Sequence, residues 1–357
     1  MKFSVILGTR PEIIKMSPVI REFEHRKLDY SIVHTGQHYS YSMDKIFFEV
    51  LNLPDATYNL DVGSGSHGEQ TGKMLASLEK VLEKDKPDVV LVQGDTNSVL
   101  AGALAAAKMN IKIAHVEAGL RSFDRTMPEE INRVLADHCS DYLFAPTEVS
   151  KKNLLNEGID ETKIFVVGNT VVDAIHQNFT QKNCDGKIVD QLGLKKKGYC
   201  LVTVHRQENV DNPKRFVNVL DGLKRIWSEF GVPVVYPVHP RSRKRMETFG
   251  LQADGIKLIG PVGFLDFLQL MNNAKLVLTD SGGVQEETCV LGVPCVTLRD
   301  NTERPETIDV GSNVLAGTDP DKIVECAKTM AARKNNWTNP FGDGTTGKKI
   351  ADTLCNP

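Results

Sequence analysis

Leu276-Val277-Leu278-Thr279-Asp280-Ser281-Gly282-Gly283-Val284-Gln285-Glu286-Glu287 is the stretch on which the fold turns. An apolar run stops at an Asp-Ser pair, two glycines follow, and helix-forming residues begin. Strand, tight turn and helix start is the order in which an open α/β sheet aims backbone N–H groups at a phosphate. Ser281 suits a helix N-cap, and Gly282 and Gly283 leave a ligand room to approach the backbone. Glu286 and Glu287 fall one turn inside, where a carboxylate can accept hydrogen bonds from a ribose diol. An ordinary βα turn would look the same, so the rest of the chain has to decide.

Outward from that stretch the same rhythm recurs. Residues 2–8 read as a first strand, and Thr9-Arg10-Pro11-Glu12 opens a helix with Ile13, Met16, Ile20 and Phe23 at helical spacing. Thr9 is placed as N-cap and Pro11 in the first turn. Arg10 and Lys15 then stand near a second phosphate-type turn, Arg with a planar fork and Lys with a point charge. Two solvated cations on a surface helix are the plainer alternative. Strands follow at 30–35, 88–93, 112–116, 142–145 and 164–167, separated by helical stretches. That alternation predicts a parallel, doubly wound sheet.

A polar segment at 181–198, with Lys195-Lys196-Lys197, breaks the rhythm and reads as a solvated linker. Alternation restarts at 199–204 and runs through 232–238, 256–259, 275–278, 294–298 and 314–315. The tail, 347–354, is helical again. The expectation is therefore two similar α/β units: a first domain over 1–180, a second over 199–343, and a C-terminal helix within 344–357.

Length agrees, since 357 residues exceed one ordinary core. Hydrophobic content of 41%, charged content of 25% and aromatic content of 6% describe a soluble globular chain. A formal net charge of -3 argues against nucleic acid or an anionic membrane as partner. No apolar run nears the roughly 20 residues of a membrane helix, and the opening residues read as a strand, not a signal peptide. Seven scattered cysteines without a Cys-x-x-Cys pair predict reduced, mostly buried thiols in a cytoplasmic protein, and no structural metal.

Two motifs mislead. Gly63-Ser-Gly65-Ser-His-Gly68 matches the dinucleotide pattern, but 59–62 is a poor strand and Asp88 begins the next strand instead of ending it. A flexible loop is the better reading. Gly342-Asp-Gly-Thr-Thr-Gly347-Lys348-Lys349 nearly spells a P-loop, yet Lys349 stands where Ser or Thr would hold magnesium and no strand precedes it. Asp319-Pro-Asp321, at a helix start, is a cap and not a metal site.

Acids and imidazoles collect at strand ends, as chemistry in such a sheet requires. One strand ends at Gly94-Asp95-Thr96. The next brings His115 and Glu117 to its end, and 201–204 runs into His205-Arg206. Glu129 and Glu130 open the following helix, with Arg133 next on it. Each has a structural alternative: Asp95 as a cap, Glu129 or Glu130 as first-turn acids. Their coincidence with phosphate-type turns in both units suits acid–base chemistry on a nucleotide-linked substrate.

At these residues the chain resembles the non-hydrolysing UDP-N-acetylglucosamine 2-epimerases. The strings that carry the resemblance are Gly8-Thr-Arg-Pro-Glu12, Gly36-Gln-His38, Gln93-Gly-Asp-Thr96, His115-Val-Glu-Ala-Gly-Leu-Arg121 and Pro128-Glu-Glu-Ile-Asn-Arg133. Later come Gly168-Asn-Thr170, Thr203-Val-His-Arg-Gln-Glu-Asn209, Tyr236-Pro-Val-His239, 280–287 and Thr302-Glu-Arg-Pro-Glu306. The resemblance implies two Rossmann-like domains of the glycosyltransferase B-type fold, an interdomain cleft, a C-terminal helix crossing back to the first domain, and a homodimer. It implies reversible conversion of UDP-GlcNAc to UDP-ManNAc with neither cofactor nor metal, by elimination of UDP to 2-acetamidoglucal and re-addition.

By motif, Asp95, Glu117 and Glu129 match the proton-handling carboxylates, and Glu130 could stand in the place of Glu129. His205 matches the group that helps UDP leave and return. Arg10, Lys15, Ser281, Gly282, Gly283, Glu287 and Arg304 match nucleotide contacts. Gln37, His38, Arg206 and His239 resemble part of an allosteric UDP-GlcNAc site. A hydrolysing epimerase that releases ManNAc and UDP is the nearest alternative. A B-type glycosyltransferase and a non-catalytic nucleotide-sugar sensor are further ones.

Overall fold

Short apolar runs form the strands of two sheets in the computed structural model, which describes residues 1–37, 41–179 and 187–356. The first sheet contains β1 (Lys2–Leu7), β2 (Asp29–His34), β3 (Tyr58–Asn59), β4 (Val89–Gln93), β5 (Lys112–Val116), β6 (Tyr142–Ala145) and β7 (Ile164–Val166). The second contains β8 (Cys200–Thr203), β9 (Val234–Pro237), β10 (Ile256–Ile259), β11 (Leu276–Thr279), β12 (Cys295–Thr297) and β13 (Asn313–Leu315). Their orders are β3-β2-β1-β4-β5-β6-β7 and β10-β9-β8-β11-β12-β13. Neighbours pair in parallel throughout, for example Val92 with His115 and Thr279 with Thr203.

These are the two Rossmann-type units expected of a glycosyltransferase B-type chain. Helices cover both faces of a parallel sheet, which is why β4, Val-Val-Leu-Val-Gln, is buried along its whole length. In each sheet the order reverses once, between β1 and β4 and between β8 and β11. A parallel sheet opens a crevice beyond its strand ends at that switch point. The turns after β1, β4 and β5 in one sheet, and after β8 and β11 in the other, are thereby placed for binding and chemistry.

The chain divides into a unit of Met1–Gln177 with Phe341–Pro357 and a unit of Asn178–Pro340. Within the first, the C-terminal helix Thr346–Cys355 lies against the Arg10–Arg26 helix. A Cβ on Gly347 would meet the Pro18 carbonyl at 2.9 Å, and Arg26 pairs with Asp352 at 2.7 Å. Gly347 N–H donates to Asp173 at 2.9 Å, and burial raises that carboxyl above its ordinary pKa.

The stretch read as a linker holds more structure than its lysines suggest. Lys187–Gln191 is a short helix, Val189 and Leu194 are buried, and Lys197 N–H donates to Asn273 O at 2.7 Å. Two apolar anchors in a polar run suffice to dock its latter part on the second unit. The glycine loop before the His67–Asp85 helix is likewise tied down: Gly63 N–H donates to Gly36 O, and Gln70 donates to Gly63 O at 2.8 Å. Asp319 caps the Pro320–Ala332 helix, as expected. The described cysteines are all free. Among the described residues no helix is long and apolar enough to cross a membrane.

Candidate active site

Glu117 follows directly on β5 and is left-handed, with φ +70°. A non-glycine residue pays for that conformation, and such strain gathers at functional positions. Its carboxylate is almost fully buried. Oε2 accepts from Lys15 Nζ at 2.5 Å, Gln93 Nε2 at 3.0 Å and Asn169 Nδ2 at 3.3 Å. The donors come from the first helix, the end of β4 and the turn after β7, so four separate segments meet on one oxygen. Lys15 therefore meets Glu117 in this structure, a neighbour that spacing along the chain could not reveal.

Asp95 stands one strand away, after Gly94. Arg133 donates both to Asp95 Oδ2 and to Glu130 Oε2, and Asn132 Nδ2 holds the Asp95 carbonyl at 2.9 Å. Helix capping here falls to Thr96, whose side chain accepts from Val99 N–H. Asp95 keeps about 30% of its side chain exposed. It is thus oriented by a buried guanidinium and still accessible.

The two acids that open the Pro128–Cys139 helix differ. Glu130 is buried and accepts from Ser122 N–H at 3.0 Å, Ser122 Oγ at 2.9 Å and Phe123 N–H at 2.9 Å. It fastens the loop before the helix. Glu129 is half-buried, and its side chain makes no hydrogen bond or ion pair among the described residues. The two neighbouring acids thus differ in circumstance: Glu130 is tied to Ser122, Phe123 and Arg133, and the Glu129 side chain is not.

Arg10 pairs with Asp44 at 3.1 Å, and its guanidinium lies 5.0 Å from the centroid of the Phe47 ring. Gln37 is buried, its Oε1 accepting from Ser98 N–H at 3.0 Å and Ser98 Oγ at 2.7 Å. It secures the start of the Asn97–Lys108 helix. His38 lies outside the described residues.

In the second unit Asp280 is fully buried after β11. It accepts from the backbone N–H groups of His205 and Arg206 and from Asn209 Nδ2, at 3.0–3.2 Å. His205 projects from that turn with about 45% of its side chain exposed, Nδ1 being 3.6 Å from Asp280 Oδ1. The exposed His239 ring lies 6.2 Å away, centroid to centroid, and its Nδ1 caps the Pro240–Phe249 helix by accepting from Arg241 N–H at 3.2 Å.

Ser281 occupies the N-cap position of the Gly282–Val290 helix, but its side chain makes no capping hydrogen bond. Its N–H instead donates to Thr279 Oγ1 at 3.0 Å. A Cβ on Gly282 would lie 2.3 Å from Glu303 Oε1, so any larger residue would have to displace that carboxylate. Glu303 gathers Arg206, Arg299 and Arg304. Arg304 also pairs with Glu286 at 2.9 Å, so Glu286 is spent on that arginine and not placed for a ribose. Glu287, half-buried, stands on the same helix.

Sequence reasoning missed several residues of this arrangement. Gln93 and Asn169 sat inside quoted motifs, each at a strand end, the one signal that marked them. Asn132, Arg133 and Asp280 also stand in quoted motifs, but their contacts with Asp95 and with the His205 turn join residues 37, 38 and 75 apart and gave no local signal.

The family model for UDP-N-acetylglucosamine 2-epimerase matches residues 21–355. The UDP-N-acetylglucosamine 2-epimerase of Methanocaldococcus jannaschii is 58% identical over 361 residues, covering 99% of this chain and 99% of that one. A crystal structure of UDP-GlcNAc 2-epimerase from the same organism, in complex with UDP-GlcNAc and UDP, matches with a TM-score of 0.94 at 56% identity, over 100% of both chains. The Neisseria meningitidis UDP-GlcNAc 2-epimerase bound to UDP-GlcNAc gives 0.92 at 34% identity, again over 100% of both. With acids at the ends of β4 and β5, a histidine after β8 and a glycine turn after β11, the chain belongs to the UDP-N-acetylglucosamine 2-epimerase family.

Proposed function

We propose that this protein interconverts UDP-GlcNAc and UDP-ManNAc without hydrolysing the sugar–nucleotide bond. The observation that carries the reading is the convergence of Lys15, Gln93 and Asn169 on Glu117 Oε2, one strand from Asp95. The relatives named above act on or bind the same nucleotide sugar, which supports the substrate.

The proton on carbon 2 is not adjacent to a carbonyl, so its removal has to be coupled to departure of a leaving group. A carboxylate takes that proton while the bond from carbon 1 to the phosphate oxygen breaks. The C–H electrons become the carbon 1–carbon 2 double bond, and UDP leaves with the bonding pair. The products of this half are 2-acetamidoglucal and UDP. In the second half the phosphate oxygen adds to carbon 1 and a proton reaches carbon 2 from the opposite face. Inversion thus needs proton-handling groups on two faces, supplied from Asp95, Glu117 and Glu129.

In this reading His205 steadies the charge on UDP as it leaves and returns. Ser281, Gly282, Gly283, Glu287 and Arg304 hold the nucleotide, and Arg10 and Lys15 add positive charge. Neither a redox step nor an added oxidant is required. Gln37, His38, Arg206 and His239 are proposed as part of a regulatory nucleotide-sugar site, and a homodimer rests on the same resemblance.

NMR of UDP-GlcNAc turnover in deuterated buffer tests the reading. The expected outcome is UDP-ManNAc with deuterium at carbon 2, approached from either epimer. Stoichiometric free ManNAc and UDP would make the protein a hydrolysing enzyme, and binding without carbon-2 exchange would make it a sensor.

A further inference from the structure

Beneath the turns that carry Asp95 and Glu117 lies a buried set of charges that the reaction does not use. Asp137, on the Pro128–Cys139 helix, has Oδ1 2.6 Å from His115 Nδ1. Its Oδ2 accepts from Gly119 N–H at 3.1 Å and lies 2.7 Å from Arg121 Nη2. His115 Nε2 in turn donates to the Gly94 carbonyl at 2.8 Å. Arg121 continues outward to Glu157 through two bonds, at 2.7 and 2.6 Å. His115, Asp137 and the Arg121 side chain are essentially inaccessible.

The protonation pattern follows from the partners. A carbonyl only accepts, so His115 Nε2 carries hydrogen. Burial alone would push the Asp137 carboxyl upward, but His115 and Arg121 outweigh it and hold it below its ordinary value. The 2.6 Å hydrogen bond to Asp137 Oδ1 takes up Nδ1, the second ring nitrogen. With both ring nitrogens committed, His115 has no lone pair to offer a substrate.

What this set does is join two turns. Gly94 immediately precedes Asp95, and Gly119 lies two residues after Glu117. One carboxylate therefore grips the Glu117 turn directly and the Asp95 turn through an imidazole. We propose that Asp137 is a positioning residue that, with His115, fixes the separation of the Asp95 and Glu117 turns. The proposal rests on the function given above, since it assigns those two carboxylates to one carbon atom. A shift on the order of 1 Å at reacting groups can cost about 100-fold in rate, so such a brace matters to turnover without touching substrate.

The test uses the full-length chain with Asp137→Asn, His115→Asn and His115→Gln, each checked for native circular dichroism. A glutamine nitrogen can take the place of His115 Nε2 and still reach the Gly94 carbonyl, whereas an asparagine can mimic only Nδ1. The expected result is a kcat lowered about 10- to 100-fold in Asp137→Asn and His115→Asn. KM for UDP-GlcNAc and the Kd for UDP should stay within about 2-fold of wild type, and His115→Gln should recover part of the lost kcat. A kcat within about 2-fold of wild type in the folded Asp137→Asn and His115→Asn proteins would overturn the proposal. So would a loss confined to KM.

Amide NMR separates this from failure of the functional reading. If the wild type shows no carbon-2 exchange, Asp137→Asn should still move the Gly94 and Asp95 amide signals together with that of Gly119. A shift at Gly119 with Gly94 and Asp95 unmoved would sink the brace, whatever the reaction proves to be.

Discussion

Lys15 Nζ stands 2.5 Å from Glu117 Oε2, a buried contact between residues 102 apart in sequence. It ties the first helix to the end of β5 and holds a carboxylate on a left-handed backbone, φ +70°. Glu117→Ala and Glu117→Gly both delete the carboxylate and leave Lys15 without it. They differ in whether a Cβ must tolerate that backbone. The glycine variant should be more stable by about 1 kcal/mol, read as a higher urea midpoint. Equal midpoints would mean that the turn relaxes once the carboxylate is gone.

Asp95→Asn, Glu117→Gln and His205→Ala should fold normally and each lose at least about 100-fold in turnover, the usual scale for lost acid–base groups. Deuterium uptake at carbon 2 separates the roles. The two carboxylate variants should lose exchange in at least one direction of the reaction. His205→Ala should slow exchange together with UDP release. Near-wild-type rates in all three would refute the assignment.

What could be read from the chain beforehand was what local pattern carries. Strand ends at Gly94-Asp95 and Asp280-Ser281 were visible because an apolar run stops at a turn, and the alternation of such runs with helical stretches implied two parallel sheets. Convergence on Glu117 was not visible, because Gln93, Lys15 and Asn169 lie 24, 102 and 52 residues away. His115 looked like a reacting group by position, yet both its nitrogens are bound to structure. Ser281 looked like a side-chain cap, and Thr279 satisfies its N–H instead. Local chemistry marks where a turn falls; only packing decides which side chains are left over for a ligand.

Glu12 gives a pH signature. It is buried and accepts from Gly8 N–H at 2.9 Å and Thr96 Oγ1 at 2.7 Å, bridging the turns after β1 and β4. Burial raises its carboxyl above the ordinary 4.5, with the bonds from Thr96, Gly8 and Thr9 only partly opposing. A folded pKa above the unfolded one contributes stability that is full below 4.5 and is lost as pH rises through the folded value. Glu12→Gln cannot titrate. Wild type should therefore lose stability relative to this variant as pH is raised from 4.5 to 8 in a urea series. A constant difference across that range would show that Glu12 ionises without cost.

Gly168 links the C-terminal return to the reacting end of the first unit. Its φ is +93°, and a Cβ there would lie 2.8 Å from Thr346 Oγ1 and 2.9 Å from the Phe341 carbonyl. The next residue, Asn169, donates its N–H to Phe341 O at 2.8 Å and its side chain to Glu117. Gly168→Ala should cost about 1–3 kcal/mol and speed amide exchange across the Thr346–Cys355 helix. It should also lower kcat, through Asn169, while leaving UDP affinity unchanged. A stability loss with full kcat would separate Asn169 from the chemistry.

Glu129 and Glu130 are neighbours in sequence but opposite in circumstance, which makes them a sharp pair to compare. Glu130 accepts three hydrogen bonds from Ser122 and Phe123 and pairs with buried Arg133, which also orients Asp95. Glu130→Gln weakens that pairing and leaves a buried guanidinium poorly matched, so a drop in stability of about 1–3 kcal/mol is expected, with any loss of rate following from misplacement of Asp95. Glu129 holds nothing in place, so Glu129→Gln should melt like wild type and lose about 100-fold in kcat as an acid–base group. Thermal unfolding and turnover on the two variants therefore separate the roles. If Glu130→Gln is the one that keeps its stability and loses its rate, the two acids exchange places in the mechanism, and the loop at Ser122 and Phe123 is held by something other than its carboxylate.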